Sequence, residues 1–241
     1  MQPLNTEIRR IDSLTASQIE EMFALYQCYY DSSSAERFKR DLQQKHHVIV
    51  LRDIDSNLRG FSTLALITYC FEGKQQRAIY SGDTVIHDAY WGSQALPLAF
   101  AHLAGRIKAE APSIPLYWLL IVKGHRTYRY LTLFSNNYFP CRRQPTPLSV
   151  QALIDHMAYL QFGDAYQREL GIVRYQHSHG HLNKDLAITA EHLLKKPNVR
   201  FFLERNPGFA NGDELVCLTE LCVENLRSHV LRAFRDSDNN G

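Results

Sequence analysis

Hydrophobic positions in the first part of the chain change from helical spacing to strand spacing. Apolar residues recur every three or four positions in TASQIEEMFALYQCYYD, which predicts a helix capped by Thr15 or Ser17, with Glu20 completing a capping box. The more polar segment SSAERFKRDLQQK predicts a second helix. Short turns then join three segments rich in apolar and β-branched residues, which predicts an antiparallel meander. These segments are HHVIVLRD, GFSTLALITYCFEG and RAIYSGDTVIH.

The pattern then alternates between helix and strand. GSQALPLAFAHLAGRIKAEA has helical spacing, provided that Pro97 lies in the first turns, where a missing N–H is tolerated. IPLYWLLIVKG is a continuous apolar run, typical of a strand buried on both faces, and RTYRYLTLFSNNYF predicts another helix. The predicted order is ααβββαβα. Because a helix connects the third and fourth strands, we expect these two strands to be parallel.

Beyond CRRQPTP the periodicity is weaker. The prolines there predict a boundary near residue 147, between a core of residues 1–147 and a C-terminal extension of residues 148–241 packed on that core. SVQALIDHMAYLQFG, AITAEHLLKK and the long segment DELVCLTELCVENLRSHVLRAF are predicted helices, and NVRFFLERNPG is a predicted strand. We therefore expect the extension to be mainly helical, with at least one strand.

Composition excludes several classes of protein. Of the 241 residues, 45% are hydrophobic and 22% are charged, as in globular proteins. The formal net charge of +2 gives no electrostatic reason to expect nucleic acid or an anionic membrane as a partner. The apolar runs are shorter than a membrane span, and the N-terminus lacks the apolar core of a secretory signal. Five cysteines without CxxC spacing fit free thiols, so we expect a cytoplasmic protein without a metal.

Two segments resemble motifs of a known family. VIHDAYWGSQALPLAFAHL runs from a strand through a glycine loop into a helix, where backbone N–H groups and the helix dipole can cradle a pyrophosphate. LFSNNYF ends the next helix between Phe134 and Phe139. Together with the element order, these segments resemble the GNAT superfamily of acyltransferases over residues 13–140. The resemblance implies an α+β fold with a mixed, mostly antiparallel central sheet flanked by helices.

The resemblance also implies a donor and a set of residues that bind it. The donor would be acetyl-CoA or a longer acyl-CoA, and the acceptor a small-molecule amine or amino acid. This chain has Trp91 where the family has Arg or Gln, Gln94 and Leu96 where it has glycines, and Phe134 where it has the tyrosine that protonates the leaving thiolate. The residues expected to contact the cofactor are Ile86, Trp91, Gly92, Ser93, Gln94, Ala95, Phe134 and Asn136.

Three residues are candidates for catalytic proton transfer. Asp83 lies inside the last strand of the meander, where an unpaired carboxylate is costly. It is either a base for the amine, or a carboxylate paired with an arginine or exposed at a bulge made by Gly82. His87 ends the same strand beside the glycine loop, and an imidazole titrates near neutral pH, although a solvent-facing histidine is the alternative. His125 follows a strand end, where ligands collect in open sheets.

The segment around His125 supplies the candidate substrate contacts. Lys123 and Arg126 can contact a phosphate or a carboxylate, or they are incidental charges at a helix N-terminus, where cations oppose the dipole. Tyr128 can line the substrate site and act as an acid, or it can be a core residue. Alternate spacing of His177, His179 and His181 suits a metal site on a strand, but Ser178 and Gly180 favour a solvated loop.

Three functions stay open on the sequence. The first is an N-acyltransferase in which an amine attacks a coenzyme A thioester directly with the help of a general base. The second resembles the N-acyl amino acid and acyl-homoserine lactone synthases, with Lys123, Arg126, Arg142 and Arg143 facing an acidic acyl carrier protein. The third is a catalytically degenerate GNAT-like binding domain. A V-shaped gap between the strands that end near His87 and Val122 would favour the enzymes.

Overall fold

A computed structural model of the chain describes residues 3–176, 180–183, 186 and 188–236. The strands are β1 (Asn5–Arg10), β2 (Tyr30–Asp31), β3 (His47–Arg52), β4 (Leu58–Phe71), β5 (Lys74–Ile86), β6 (Leu116–Val122), β7 (Tyr166–Gln167), β8 (Ile172–Val173), β9 (His181–Leu182) and β10 (Glu214–Glu220). The helices are α1 (Ala16–Gln27), α2 (Ala35–Leu42), α3 (Ala95–Glu110), α4 (His125–Phe134), α5 (Leu148–Phe162), α6 (Glu191–Leu194), α7 (Pro197–Arg205) and α8 (Ser228–Arg235).

The described residues form an eight-stranded mixed sheet in the order β1-β3-β4-β5-β6-β10-β8-β7. Neighbouring strands in it are antiparallel except β5 and β6, which are parallel and are connected through α3. The two-residue strands β2 and β9 pair separately. The predicted meander, the helical crossover and the mixed, mostly antiparallel sheet flanked by helices are confirmed. None of the helices in the described part of the chain is long and apolar enough to cross a membrane.

Helices cover both faces of the sheet, because apolar side chains alternate along its strands. In β3, Ile49 packs in the cluster that contains α3 and α4, whereas Val48 packs against α1 and α2. In β6, Trp118 faces the α3 side and Leu119 faces α5. This period-two alternation places apolar surface on both faces, so that the centre of the sheet lies between two layers of helices.

Helix caps agree with the sequence only in part. Thr15 caps α1, but its partner in the capping box is Gln18, whose side chain accepts from the Thr15 N–H at 3.0 Å. The predicted partner Glu20 is therefore wrong, because the helix begins two residues earlier than a start at Ser17 requires. Ser34 caps α2, and Pro97 lies in the first turn of α3 as predicted.

Strand β1 is absent from the predicted order. Its sequence, NTEIRR, carries charged residues and little apolar pattern, because it is the edge strand of the sheet. Its central Ile8 lies opposite Ile49 of β3. A strand with one half-exposed face and one free edge needs few apolar residues, which is why the hydrophobic pattern did not reveal it.

The C-terminal predictions need three corrections. The long helix predicted from DELVCLTELCVENLRSHVLRAF is strand β10 followed by the separate helix α8. In β10, Cys217 faces the α3 side and Val216 the α5 side, so the run is apolar throughout and its period does not separate strand from helix. The strand predicted from NVRFFLERNPG is helix α7, which starts at Pro197 and buries Val199 and Phe202. The predicted helix AITAEHLLKK shrinks to the four residues of α6.

The division predicted at residue 147 does not coincide with a break in the sheet. Residues 215–220 of β10 pair with residues 117–122 of β6, and β8 continues the sheet on the other side. The extension therefore does more than pack on the core, because it supplies three strands of the central sheet.

Candidate functional site

The two parallel strands stop pairing before they end. The ladder between β5 and β6 runs from Arg77 opposite Leu116 to Ser81 opposite Leu120. Beyond that point β5 continues to Ile86 and β6 to Val122 with no ladder between them. This is the gap that the family resemblance led us to expect, and it opens at the carboxyl ends of parallel strands, where open sheets bind ligands.

A β-bulge lies where the ladder stops. Ser62 of β4 faces Thr84 and Leu64 faces Ser81, so that Gly82 and Asp83 together oppose a single residue. Such a bulge bends its strand and re-aims side chains. A Cβ at Gly82 would lie 2.5 Å from Cε of the buried Lys45, so a larger residue here would displace the end of that lysine side chain.

A cavity of about 600 Å³, called here the large cavity, lies on one side of the gap. The end of β5, the loop before α3, the helix α4, Leu182, Leu186, Leu193 and residues 196–199 enclose it. Five of the eight predicted cofactor residues line it: Ile86, Trp91, Gly92, Ser93 and Gln94. Ala95 lies next to them, and its N–H donates to Oγ of Ser93 at 3.2 Å.

The other two predicted cofactor residues do not line the large cavity. Phe134 is fully buried in the core, with ring centroids 5.4 Å from Phe100 and 5.0 Å from Trp118. Asn136 is exposed beyond α4, where its N–H donates to the carbonyl of Asn225 at 2.8 Å. These two residues correct the predicted cofactor set, because Phe134 packs in the core and Asn136 lies on the surface outside the large cavity.

Some backbone N–H groups of the loop before α3 have no acceptor among the described residues and are available to bind an anion. The amides of Trp91, Ser93 and Ala95 donate within the loop, and Pro97 has no N–H. Among the described residues we find no acceptor for the amides of Gly92, Gln94 and Leu96. Gly92 has φ of 92°, which favours glycine. Three N–H groups at the N-terminus of a 16-residue helix suit a phosphate.

Trp91 and Arg126 together join the loop to α4. The Trp91 indole N–H donates to the carbonyl of Ile86 at 2.9 Å, and the Arg126 guanidinium lies 4.5 Å from the centre of the indole ring. Burial lowers the pKa of Arg126. The cation–π contact offsets the unfavourable position of this cation at the N-terminus of α4.

His125 is the first residue of α4 and lines the large cavity. It is only 7% exposed, and its Nε2 atom has no hydrogen-bond partner in the described part of the chain. Burial, with help from Arg126 and Lys196, lowers the pKa of His125 to about 4. The imidazole is therefore neutral at pH 7, and its Nε2 atom is buried.

This shift makes stability depend on pH. In the unfolded chain a histidine has a pKa of about 6.5, so the folded form binds fewer protons between pH 6.5 and 4 and loses stability as the pH falls through that window. We expect thermal unfolding to show the wild type losing stability relative to His125→Gln between these pH values. A difference in melting temperature that does not change with pH would contradict the buried, neutral imidazole.

A second cavity of about 100 Å³, called here the small cavity, lies at the bulge. Asp83, Lys123 and Glu214 line it together with aromatic side chains of α1, β2 and β5. Three residues, Tyr30, Thr84 and Thr127, line both cavities. The two cavities therefore meet in the gap between β5 and β6.

Asp83 is half-buried at this meeting point. Burial and the nearby Asp41 raise the pKa of Asp83 to about 6, against the opposing effect of Lys123 and Lys45. No hydrogen bond or ion pair to its carboxylate is found within the described residues. Of the alternatives from the sequence, an arginine partner is thus excluded there, and the bulge at Gly82 is present.

Lys123 and Glu214 form the opposite wall. Their ammonium and carboxylate groups are 3.6 Å apart, and the ammonium lies 5.5 Å from the ring centre of Tyr30. Burial raises the pKa of Glu214. Lys123 therefore faces the small cavity, whereas Arg126, the other predicted substrate contact, faces the large one.

His87 and Tyr128 are placed differently from what the sequence suggested. His87 lines neither cavity; its Nδ1 accepts from the Ala89 N–H at 3.3 Å and lies 3.0 Å from the Asp88 carboxylate. Tyr128 borders the large cavity, but its hydroxyl donates to the carbonyl of Pro140 at 2.8 Å and its ring is buried.

Other residues of interest were missed or fall elsewhere. Sequence reasoning missed Tyr30, Thr84, Thr127 and Glu214, and only Glu214, a charge at the start of an apolar run, gave a usable signal. His177 and His179 lie outside the described residues. His181 is in β9, opposite Asp31.

No family model and no curated protein matches the chain. Similar solved structures include a probable N-acyltransferase of Enterococcus faecalis, with 16% identity and a TM-score of 0.41 over 54% of this chain and 33% of that protein. A GNAT family N-acetyltransferase of Escherichia coli in complex with CoA has 14% identity and a TM-score of 0.37 over 54% of this chain and 69% of that one.

A third similar structure is the N-myristoyltransferase of Saccharomyces cerevisiae with bound myristoyl-CoA. Its identity to this chain is 13% and its TM-score 0.39, over 51% of this chain and 30% of that enzyme. The similarity thus spans about one third of the Enterococcus and yeast proteins. At these identities the similarity concerns the fold.

Proposed function

We propose that the chain is an N-acyltransferase that moves an acyl group from a coenzyme A thioester to the amine of a small molecule. The observation that carries this proposal is the end of the β5–β6 ladder at Ser81 and Leu120, with two cavities meeting in the gap beyond it. A two-substrate transfer needs this arrangement, because the donor carbonyl and the acceptor nitrogen must approach from different sides.

The large cavity holds the donor. The free amides of Gly92, Gln94 and Leu96 bind phosphate oxygens at the N-terminus of α3. The pantetheine arm enters the gap, where unpaired strand edges offer it hydrogen bonds. The thioester then lies where the cavities meet, next to Thr127. His125, whose imidazole is neutral, lines this cavity.

The small cavity holds the amine beside Asp83. Asp83, whose raised pKa of about 6 brings it close to the ideal for a base at neutral pH, takes a proton from the ammonium. The nitrogen then forms a bond to the carbonyl carbon, the C–S bond breaks, and the thiolate takes the second proton from nitrogen. Phe134 cannot donate that proton, and Tyr30, which lines both cavities, is our candidate to relay it.

Two measurements test the proposal. Isothermal titration with acetyl-CoA and with a longer acyl-CoA is expected to show saturable binding, and release of free thiol in the presence of small amines is expected to show transfer. Absence of binding to both donors would contradict the proposal. Binding without thiol release from any amine would favour the degenerate binding domain.

An acyl carrier protein is a second candidate donor. This donor is favoured because few N–H groups of the loop before α3 are free to bind phosphate. The backbone N–H groups of Trp91, Ser93 and Ala95 are hydrogen-bonded within the loop, and Pro97 has no N–H. A pyrophosphate carries two phosphates to be bound, whereas the arm of a carrier protein carries one. Of the basic residues that would face the carrier, Arg142 and Arg143 are exposed. A higher kcat/KM with an acyl carrier than with the matched acyl-CoA would support this donor.

A further inference from the structure

The small cavity contains one charge that the protein itself does not compensate. Asp41 pairs with Lys45 at 2.7 Å, and Glu214 pairs with Lys123 at 3.6 Å. Arg37, also at this cavity, has a partner of its own. The lining itself carries the carboxylates of Asp41, Asp83 and Glu214 against the cations Arg37 and Lys123, so its formal charge is −1, and the Asp83 carboxylate has no ion pair of its own among the described residues. A buried charge of this kind is complemented by a single positive charge.

The walls of the small cavity are aromatic. Tyr26 and Tyr30 stack with ring centroids 4.5 Å apart, and Phe38, Tyr80 and Tyr175 complete the lining. Ring faces attract ammonium groups and repel carboxylates, because the π face carries the negative end of the quadrupole. A second, negatively charged group on the ligand would lose water here and find every cation already engaged.

The volume indicates the size of the group that the small cavity itself holds. A cavity of 150 Å³ in another protein holds benzene, with six heavy atoms. At about 100 Å³, the small cavity has room for roughly four heavy atoms by the same measure. A short alkyl amine fits these limits.

We propose that the acyl acceptor is a small monocationic amine without a carboxylate, bound with its ammonium group at Asp83; this inference rests on the proposed function. The transfer balances with that acceptor. The ammonium gives one proton to Asp83 and the second to the departing thiolate, and the products are an amide and a free thiol.

Propylamine and β-alanine differ in that a carboxylate replaces the methyl group of propylamine, and 3-methylbutylamine, the neutral isostere of β-alanine, separates the effect of charge from that of size, since it is expected to react faster than β-alanine. We expect kcat/KM for acyl transfer to be at least about 10-fold higher with propylamine. Equal or higher activity with β-alanine would overturn the inference while leaving the acyltransferase intact. Acyl-CoA binding without transfer to either amine would also overturn it, whereas loss of acyl-CoA binding itself would contradict the proposed function.

A charge variant sharpens the test. Glu214→Gln leaves Lys123 without its carboxylate, so the small cavity gains a cation that can receive the carboxylate of β-alanine. The propylamine to β-alanine ratio is expected to fall by about 10-fold, and an unchanged ratio would overturn the inference. Glu220→Gln, at the exposed end of the same strand, is the control and keeps the wild-type ratio. If Glu214→Gln does not fold, as thermal unfolding would show, the wild-type ratio decides.

Discussion

Replacing Asp83 with Asn is expected to lower kcat/KM for acyl transfer by about 100-fold to 10,000-fold, the usual contribution of a general base. The amide has nearly the same shape but accepts no proton from the acceptor ammonium. In the wild type, log kcat/KM rises with pH until Asp83, with its raised pKa of about 6, has lost its proton. We expect that rise to be absent from the pH profile of the variant.

Stability separates this loss of activity from misfolding. The pKa of Asp83 is about 6 in the folded chain and about 3.9 in an unfolded one, so the folded form binds more protons between these values. Its contribution to stability is therefore present below pH 4 and lost as the pH rises through 6. Asp83→Asn removes this loss, and its melting temperature at pH 7.5 is expected to equal or exceed that of the wild type.

Asp55→Asn is the matched control for this substitution. Asp55 is exposed in the turn between β3 and β4 and lines neither cavity. The activity of the Asp55→Asn variant is therefore expected to match that of the wild type. If Asp83→Asn kept wild-type kcat/KM, another group would have to deprotonate the amine. In that case Glu214, the other buried carboxylate of the small cavity, would be the next residue to replace.

Replacing Thr127 with Phe is expected to reduce acyl transfer by at least about 100-fold. Thr127 lies in the first turn of α4 and lines both cavities, so a phenyl ring there separates the donor carbonyl from the acceptor nitrogen. A displacement of about 1 Å between reacting groups already costs about 100-fold. We expect kcat to fall more than the affinity for acyl-CoA, because the substitution leaves the loop before α3 unchanged.

Thr127→Val tests volume against chemistry at the same position. It removes the hydroxyl and keeps the size of the side chain, so acyl transfer is expected to stay within about 3-fold of the wild type. Stopped-flow measurement of thiol release gives both rates. Near wild-type activity in Thr127→Phe would mean that the two substrates do not meet at this point.

The order of the central strands and helices could be predicted because the strongest patterns in the sequence are local. The meander from β3 to β5 has turns of a few residues, and α3 follows a glycine loop, so periodicity and turn chemistry describe them well. Strand β10 was mistaken for a helix because burial on both faces erases the period-two signal. Strand β1 was overlooked for the opposite reason, since an edge strand needs few apolar residues.

The candidate site shows the same limit. Asp83 stood out because a carboxylate inside a strand conflicts with its surroundings, and the structure places it at a bulge beside a cavity. Tyr30, Thr84 and Thr127 have no such local signal, since their position comes from the end of the β5–β6 ladder. Phe134 was misplaced because a motif match gives the position of a residue in the chain and not the direction of its side chain.

The insertion of β10 beside β6 has a consequence for synthesis on the ribosome. Until residues 214–220 emerge, one edge of β6 is unpaired, and the Lys123 side of the small cavity lacks its Glu214 partner. The nascent chain therefore carries an open, strongly apolar strand edge at a stage when nearly all of the residues that line the large cavity have already been made. Under the proposed function, the acceptor site is complete only after residues 214–220 have joined the sheet, so activity would begin only when the sheet is complete.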